Sequence, residues 1–252
     1  IIKSILDGES GAVKGSKAFS ADSLIVIQFL DKADEFQGID SDSALKYSGK
    51  ALSLALKTRA SVLLSLSLQS IGEYCLNHEM YRESMSHFLN SLAIEEKHGD
   101  MKRMADLYDE LGLVYYYLEV FDKSLDYHQR ALEVYRRFND TTGLATALGH
   151  LGSLHSSREF CENRSKEEKL HDFQTAIRYY EQSLELCLRK GDLDGVARNN
   201  QNIGAVYNKL EKPQIALGYV LKALEHCRKV NDPEGLLSTL YTLGRTYYRL
   251  GD

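Results

Sequence analysis

Apolar residues recur along this chain at the three- and four-residue spacing that places them on one face of an α-helix. A short pattern with a glycine at its third position occurs five times, as SIGEYC (70–75), ELGLVY (110–115), HLGSLH (150–155), NIGAVY (202–207) and TLGRTY (242–247). A second amphipathic segment follows each of the first four, at 83–92, 123–132, 175–184 and 214–224. The pattern predicts pairs of antiparallel helices that repeat along the chain.

The ends of the predicted helices are marked by a Gly-Asp or Asn-Asp dipeptide, which occurs at 99–100, 139–140, 191–192 and 231–232. Glycine and asparagine tolerate the left-handed backbone that ends a helix, and the aspartate can accept amide hydrogens at the start of the next one. Successive dipeptides are 40, 52 and 40 residues apart. The spacing indicates a 40-residue repeat, one copy of which carries extra residues.

The residues at fixed positions of each copy have the character of a known motif. In the third copy these are Tyr108, Leu111, Gly112, Tyr115, Ser124, His128 and Ala131. The pattern resembles the tetratricopeptide repeat family. The resemblance implies an all-α fold, a right-handed superhelical solenoid of antiparallel helix pairs. The 40-residue copies are similar to those of bacterial signalling and sensor proteins.

The repeat register divides the chain into a leader or cap over 1–20 and a solenoid over 21–252. The predicted units are 21–60, 61–100, 101–140, 141–192, 193–232 and a half unit over 233–252. The extra residues of the fourth unit lie at about 156–173, where they either lengthen its helices or form an exposed loop. Since the last unit stops after its first helix, we expect a further C-terminal part.

The composition of the chain argues against several classes of function. The net charge of −5 gives no global attraction for nucleic acid or anionic lipid. No apolar run approaches the length that spans a membrane. The four cysteines form no CxxC pair, which favours a reducing compartment over a disulfide framework.

Candidate chemistry is sparse. No HExxH motif is present, and the glycine-rich stretch GESGAVKGSKAFS lacks the spacing of a phosphate-binding loop. Some carboxylates lie close together in the sequence, but no nucleophile or general base is grouped with them. The sequence therefore predicts no catalysis, no cofactor and no metal.

The family resemblance implies that the first helix of each unit lines a concave groove where ligands bind. We expect this groove to be acidic in the second and third units and basic toward the C-terminal end; the alternative is that these residues form ordinary solvated faces. The candidate partner-binding residues are Gln69, Glu73, Asp106, Asp109, Glu110, Tyr116, Tyr117, His150, Arg198, Gln201, Asn202, Asn208, Tyr241, Arg245 and Arg249.

Residues 107–135 are rich in aromatic side chains, which the register divides into two sets. Tyr108, Tyr115 and His128 fall on packing positions of the motif and are predicted core residues. Tyr116 and Tyr117 fall on groove positions and stay candidates for binding.

The favoured function is a non-catalytic module that binds a protein or peptide, as the sensory or docking part of a larger signal-transduction protein. One alternative is a self-association scaffold, that is, a homo-oligomer. An RNA-binding solenoid is disfavoured, because the acidic balance does not provide the continuous basic face that it requires. The predicted partners exclude nucleic acid and, within this segment, a membrane.

Overall fold

The computed structural model describes residues 21–58, 60–158, 164–230 and 232–251, and over these it is all α-helical with no strand. The predicted all-α architecture of helix pairs is confirmed, whereas the predicted leader over 1–20 lies outside the described residues. The helices are α1 (Ala21–Phe36), α2 (Ser41–Thr58), α3 (Ser61–Asn77), α4 (Tyr81–His98), α5 (Met101–Tyr117), α6 (Phe121–Arg137), α7 (Thr141–Ser157), α8 (Lys166–Lys190), α9 (Leu193–Lys209), α10 (Pro213–Val230) and α11 (Pro233–Leu250). The odd-numbered helices are called first helices below, and the even-numbered ones second helices.

Helices end and begin at the Gly-Asp and Asn-Asp dipeptides, as predicted. Gly99, Asn139 and Gly191 have the left-handed backbone, with φ of 74°, 52° and 76°. The aspartates that follow them, together with Asp232, each accept a hydrogen bond from a backbone N–H in the first turn of the next helix. These bonds satisfy amide groups that have no partner inside the helix.

The turns inside the helix pairs contain a glutamate with a left-handed backbone, which the sequence pattern does not predict. Glu79, Glu119 and Glu211 have φ of 60°, 59° and 57°. In the first and third of these turns the next N–H bonds back across the helix end, from Met80 to the carbonyl of Cys75 and from Lys212 to that of Tyr207. This closure favours a left-handed residue at the helix end, even where the residue is not glycine.

The chain forms two compact units, of which the first ends at Leu118 and contains α1 to α5. Each of these helices packs against the next, and α1 also contacts α3. A core cluster joins α1, α2 and α3 through Val26, Leu30, Ala51 and Leu63. The first helices α1 and α3 therefore lie side by side in this unit.

The second unit starts at Glu119 and contains α6 to α11. Helix α9 lies at its centre and packs against α8, α10 and α11, with a further contact to α7. Its core cluster includes Phe173, Ile177, Tyr180, Ile203 and Val206. First helices therefore lie side by side here as well.

The extra residues of the fourth predicted unit lengthen a second helix. Helix α8 has 25 residues, compared with 18 in α10, and it starts with a capping box between Ser165 and Glu168. Such reciprocal bonds favour a helix start at this point. Residues 159–163 lie outside the described part of the chain.

Three cysteines, Cys75, Cys187 and Cys227, are buried free thiols. Cys75, at the motif position that Tyr115 has in the next unit, packs in the interior. In the described ranges, no helix combines the length and the apolar character needed to cross a membrane.

Candidate functional site

A cleft of about 100 Å³ opens in the second unit between α7, α8 and α9. We call it the unit-2 cleft. Its wall combines apolar surface with hydroxyl, amide and cationic groups and the carboxylate of Asp192. Its lining residues include Thr142, Thr146, Gly149, His150, Ser153, Lys190, Arg198, Asn199 and Asn202.

Three of these lining residues, His150, Arg198 and Asn202, are among the candidates predicted from the repeat register. The structure brings them together because α7 and α9 are consecutive first helices. Gly149 adds space, since a Cβ there would have no atom nearer than 3.8 Å. The cleft thus follows from the register together with the side-by-side packing of the two helices.

Two of these side chains make no hydrogen bond or ion pair within the described part of the chain. They are the exposed guanidinium of Arg198 and the half-buried amide of Asn202. A partly buried amide that makes no hydrogen bond in the protein has donor and acceptor capacity to offer a ligand. A guanidinium that forms no ion pair within the protein favours an anionic ligand group.

The remaining polar groups of the wall are used within the protein. The hydroxyl of Tyr180 donates to Ser153 at 3.0 Å, and the buried amide of Asn199 donates to Ser183 and to the carbonyl of Gly195, each at 2.9 Å. The ring of His150 lies 5.2 Å from that of His128. These contacts fix the positions of the side chains that form the wall.

Sequence reasoning missed Lys190, Thr142 and Asn199 as cleft residues. The ammonium group of Lys190, at the end of α8, donates to the hydroxyl of Thr142 at the start of α7. The register points only to first helices, so a lysine at the end of a second helix carries no signal in the motif. The Gly-Asp dipeptide after Lys190 marks a helix end, but it does not indicate what lies beside that end.

The other unit-2 candidates have different environments. Gln201 donates to Ser238 at 2.5 Å. The side chain of Asn208 is 1% exposed and donates to Thr246 at 2.8 Å, so it contributes to packing between α9 and α11 rather than to an open surface. Tyr241, Arg245 and Arg249 are exposed on α11, and the guanidinium of Arg245 lies 6.0 Å from the ring of Tyr241.

Acidic candidates gather on the first helices of the first unit. Gln69 donates to Glu73 at 3.0 Å. The pKa of Glu73 is raised to about 7, mainly by burial and in smaller part by the charges of Asp34 and Asp106, while the hydrogen bond from Gln69 acts in the opposite direction. Burial also raises the pKa of Glu110 well above its usual range, with Glu73 as the main charged contributor.

The two remaining acidic candidates differ in exposure: Asp106 is exposed, while Asp109 is buried. The aromatic candidates also divide. The ring of Tyr117 is stacked on that of Tyr81 at 5.2 Å and meets Tyr116 edge-on at 5.3 Å. Tyr115 and His128 are buried, as their motif positions predict. Tyr108 is half-buried.

Comparisons with known proteins agree with this fold. A family model described as tetratricopeptide repeat matches residues 103–159 and 195–252. The human G-protein-signaling modulator 1 is 34% identical over 61 residues, which are 24% of this chain and 9% of that protein. The chain therefore spans a small part of this relative's length.

Solved structures show the same fold over most of the chain. The structure of NprR in complex with its cognate peptide NprX has a TM-score of 0.68 at 17% identity, covering 99% of this chain and 68% of NprR. Aspartyl phosphate phosphatase F from Bacillus subtilis has a TM-score of 0.72 at 14% identity, covering 91% of this chain and 58% of that one. The expected solenoid of helix pairs is thereby confirmed.

Proposed function

We propose that this chain, whose helix pairs are tetratricopeptide repeats, is a non-catalytic module that binds an extended segment of a partner protein along its first helices. The bound segment carries acidic residues where it meets the second unit. In this proposal the module is the sensory or docking part of a larger signal-transduction protein.

The observation that carries the proposal is the unit-2 cleft with its two unused side chains. Asn202 offers both an amide donor and a carbonyl acceptor, which match the N–H and C=O groups of an extended peptide backbone. Arg198 offers a fork of donors that suits a carboxylate. Together they favour a peptide whose backbone bonds to α9 while an acidic side chain meets Arg198.

The charge of the surrounding surface supports an acidic ligand for this unit. Arg245 and Arg249 are exposed on the neighbouring first helix α11, and complementary charge mainly raises the association rate and the specificity. The cleft volume of about 100 Å³ accommodates a side chain rather than a whole cofactor. Peptide binding in the structurally similar NprR gives a precedent for this use of the fold.

The proposal is tested with peptides selected by display against the full chain and measured by fluorescence anisotropy. We expect acidic sequences to be enriched, and the Arg198→Glu and Asn202→Ala variants to bind each selected peptide about tenfold or more weakly, as for loss of one charge-assisted contact. Arg228→Glu, a charge reversal at an exposed position on the second helix α10, is the matched control and should change the affinity less than twofold. Equal affinities for all variants would exclude the cleft as the binding site.

A further inference from the structure

Two cationic side chains reach the unit-2 cleft from different helices. Lys190 is the last residue of α8, and Arg198 lies in the second turn of α9. Both side chains are exposed to solvent. Of the described residues that line the cleft, Asp192 alone carries a carboxylate, and one of its oxygens accepts a hydrogen bond from the N–H of Gly195 at 3.0 Å. The lining therefore has an excess of positive charge.

The ammonium group of Lys190 has a defined position at the end of α8. It donates a hydrogen bond to the hydroxyl of Thr142, so the side chain bridges α8 and α7. An ammonium group has three N–H donors, and this bond uses one of them. Within the described part of the chain Lys190 forms no ion pair. It therefore keeps donors and its positive charge for a ligand, and the hydroxyl of Thr142 keeps its own O–H as a donor.

Helix α9 supplies a second set of donors. Arg198 and Asn202 are four residues apart, so they lie on one face of this helix. Neither side chain makes a hydrogen bond or an ion pair with the described residues. The guanidinium carries five N–H donors and the amide carries two. The donors that the protein leaves unused thus come from three helices, α7, α8 and α9, and line one space.

The number of these donors distinguishes two kinds of acidic group. A carboxylate has two oxygens in one plane, which the fork of a single guanidinium satisfies. Such a ligand would leave the ammonium group of Lys190 without an anionic partner. A phosphoryl group has three strong acceptor oxygens and a charge of about −1.5 to −2 at neutral pH. It therefore matches two cations and donors that arrive from three helices.

We propose that the unit-2 cleft binds a phosphorylated serine or threonine of the partner segment, with Lys190 and Arg198 on its phosphoryl oxygens and Asn202 on the adjacent backbone. This assignment rests on the proposed function and specifies the acidic group that the second unit recognises. The cleft volume of about 100 Å³ suits a short phosphorylated side chain. Phosphorylation of the partner then controls docking, because an unmodified hydroxyl offers the two cations no charge.

The test uses the full chain and three degenerate peptide libraries that differ only in the central residue, which is phosphoserine, glutamate or serine. Peptides enriched on the immobilised chain are synthesised with each of the three central residues, and their affinities are measured by fluorescence anisotropy. We expect the phosphoserine form to bind about tenfold or more tightly than the glutamate form, as for one additional charge-assisted contact. The serine form should bind more weakly than both.

Two variants on α8 identify the contact that makes the difference. Lys190→Gln removes the charge but keeps an amide that can bond to Thr142. It should weaken binding of the phosphoserine form about tenfold and that of the glutamate form less than about twofold. Lys166→Gln, at an exposed position at the start of the same helix, is the matched control and should leave both affinities within about twofold. Arg198→Glu should weaken binding of both forms.

The outcomes separate this assignment from the proposed function. Equal affinities of the phosphoserine and glutamate forms, both weakened by Arg198→Glu, would overturn the phosphoryl assignment and leave acidic peptide binding in place. A phosphoserine preference that Lys190→Gln does not reduce would count against it in the same way. Peptide binding that Arg198→Glu does not change, or no binding from any library, would overturn both.

A membrane lipid is another source of a phosphoryl group. The net charge of −5 opposes approach to an anionic lipid surface, so we expect vesicles of phosphatidylcholine with phosphatidic acid to bind no better than vesicles of phosphatidylcholine alone in flotation with the full chain. Binding to the acidic vesicles that Lys190→Gln abolishes, without binding of phosphopeptides, would assign the cleft to a lipid headgroup and overturn the proposal.

Discussion

The ring of Phe88 on α4 occupies the space where a Cβ of residue 72 on α3 would stand, because such an atom would lie only 2.6 Å from the nearest ring carbon. Phe88 is fully buried, so its ring has no room to withdraw. The glycine of the motif is therefore required at this position by contact between two helices, and not by the backbone conformation of α3.

Gly72→Ala is expected to lower the free energy of unfolding by about 1–3 kcal/mol, as overpacking of a core typically does. Gly244→Ala, at the same motif position but with no atom within 4 Å, should instead raise it by about 0.5–1 kcal/mol, since alanine is the better helix former. Urea denaturation of the two variants measures both effects. The same sign for both would contradict the conclusion that contact with Phe88 requires glycine at residue 72.

The buried carboxylate of Glu95 on α4 forms an ion pair with Arg103 on α5, with Nε and Oε2 2.9 Å apart. Glu95 is 0% exposed, so removing its partner leaves a charge in the interior. We expect Arg103→Gln to destabilise the protein by about 3 kcal/mol in chemical denaturation. Lys97→Gln, at an exposed position on α4, is the control and should have little effect; an equally small effect of Arg103→Gln would show that Glu95 does not depend on this partner.

The raised pKa of Glu73 makes stability depend on pH. In the unfolded chain this carboxyl ionises near 4.5, while in the folded protein it does so at about 7. The folded state therefore binds the proton more tightly. The stabilising effect of protonation is complete below pH 4.5 and is lost as the pH rises through 7.

Glu73→Gln should consequently raise the free energy of unfolding by about 1–3 kcal/mol at pH 8 and change it little at pH 4. Denaturation curves at several pH values for the variant and the wild type give the comparison. Glu96→Gln, at an exposed position on α4, should show no such pH-dependent gain. A gain at pH 8 no larger than that at pH 4 would contradict the shifted ionisation of Glu73.

The carboxylate of Asp172 on α8 contacts an imidazole and a guanidinium group. It accepts a hydrogen bond from Nδ1 of His155 at 3.0 Å and another from Arg164. Asp172 is 2% exposed, and Asp172→Asn is expected to destabilise the protein by about 2–4 kcal/mol, because two partly buried donors lose a charged acceptor. Asp194→Asn, on the exposed surface of α9, serves as the control.

The same variant should also change the titration of His155. Burial lowers the pKa of this imidazole, and the hydrogen bond and charge of Asp172 act against that effect. We therefore expect Asp172→Asn to lower the pKa of His155 further, which NMR titration of the imidazole measures directly. An unchanged or higher pKa would show that Asp172 does not stabilise the protonated ring.

The sequence alone was sufficient for the local features of this protein. The helix starts at Asp100, Asp140 and Asp192 depend on bonds to residues two or three positions away, so the necessary information lies within a few residues of chain. The repeated periodicity predicted helix pairs for the same reason. The left-handed turns at Glu79 and Glu211 are a local exception, since glutamate carries no preference for that backbone.

The candidate site was predictable only in part. The repeat register assigned His150, Arg198 and Asn202 to the groove side of α7 and α9, and their convergence on one cleft needed only the two helices to be neighbours. The register carries no information about second helices, and so it did not predict that Lys190 lines the cleft.

Only the tertiary structure decided which register positions are available to a ligand. Asn208 and Asn202 are both asparagines on α9 at positions assigned to binding, but Asn208 bonds to Thr246, 38 residues further along the chain, and is buried. Likewise, Gly72 and Gly244 occupy the same motif position, but of the two only Gly72 lies against a side chain of another helix among the described residues, that of Phe88. Sequence periodicity specifies the direction in which a side chain leaves its helix, whereas burial depends on which distant segment packs there.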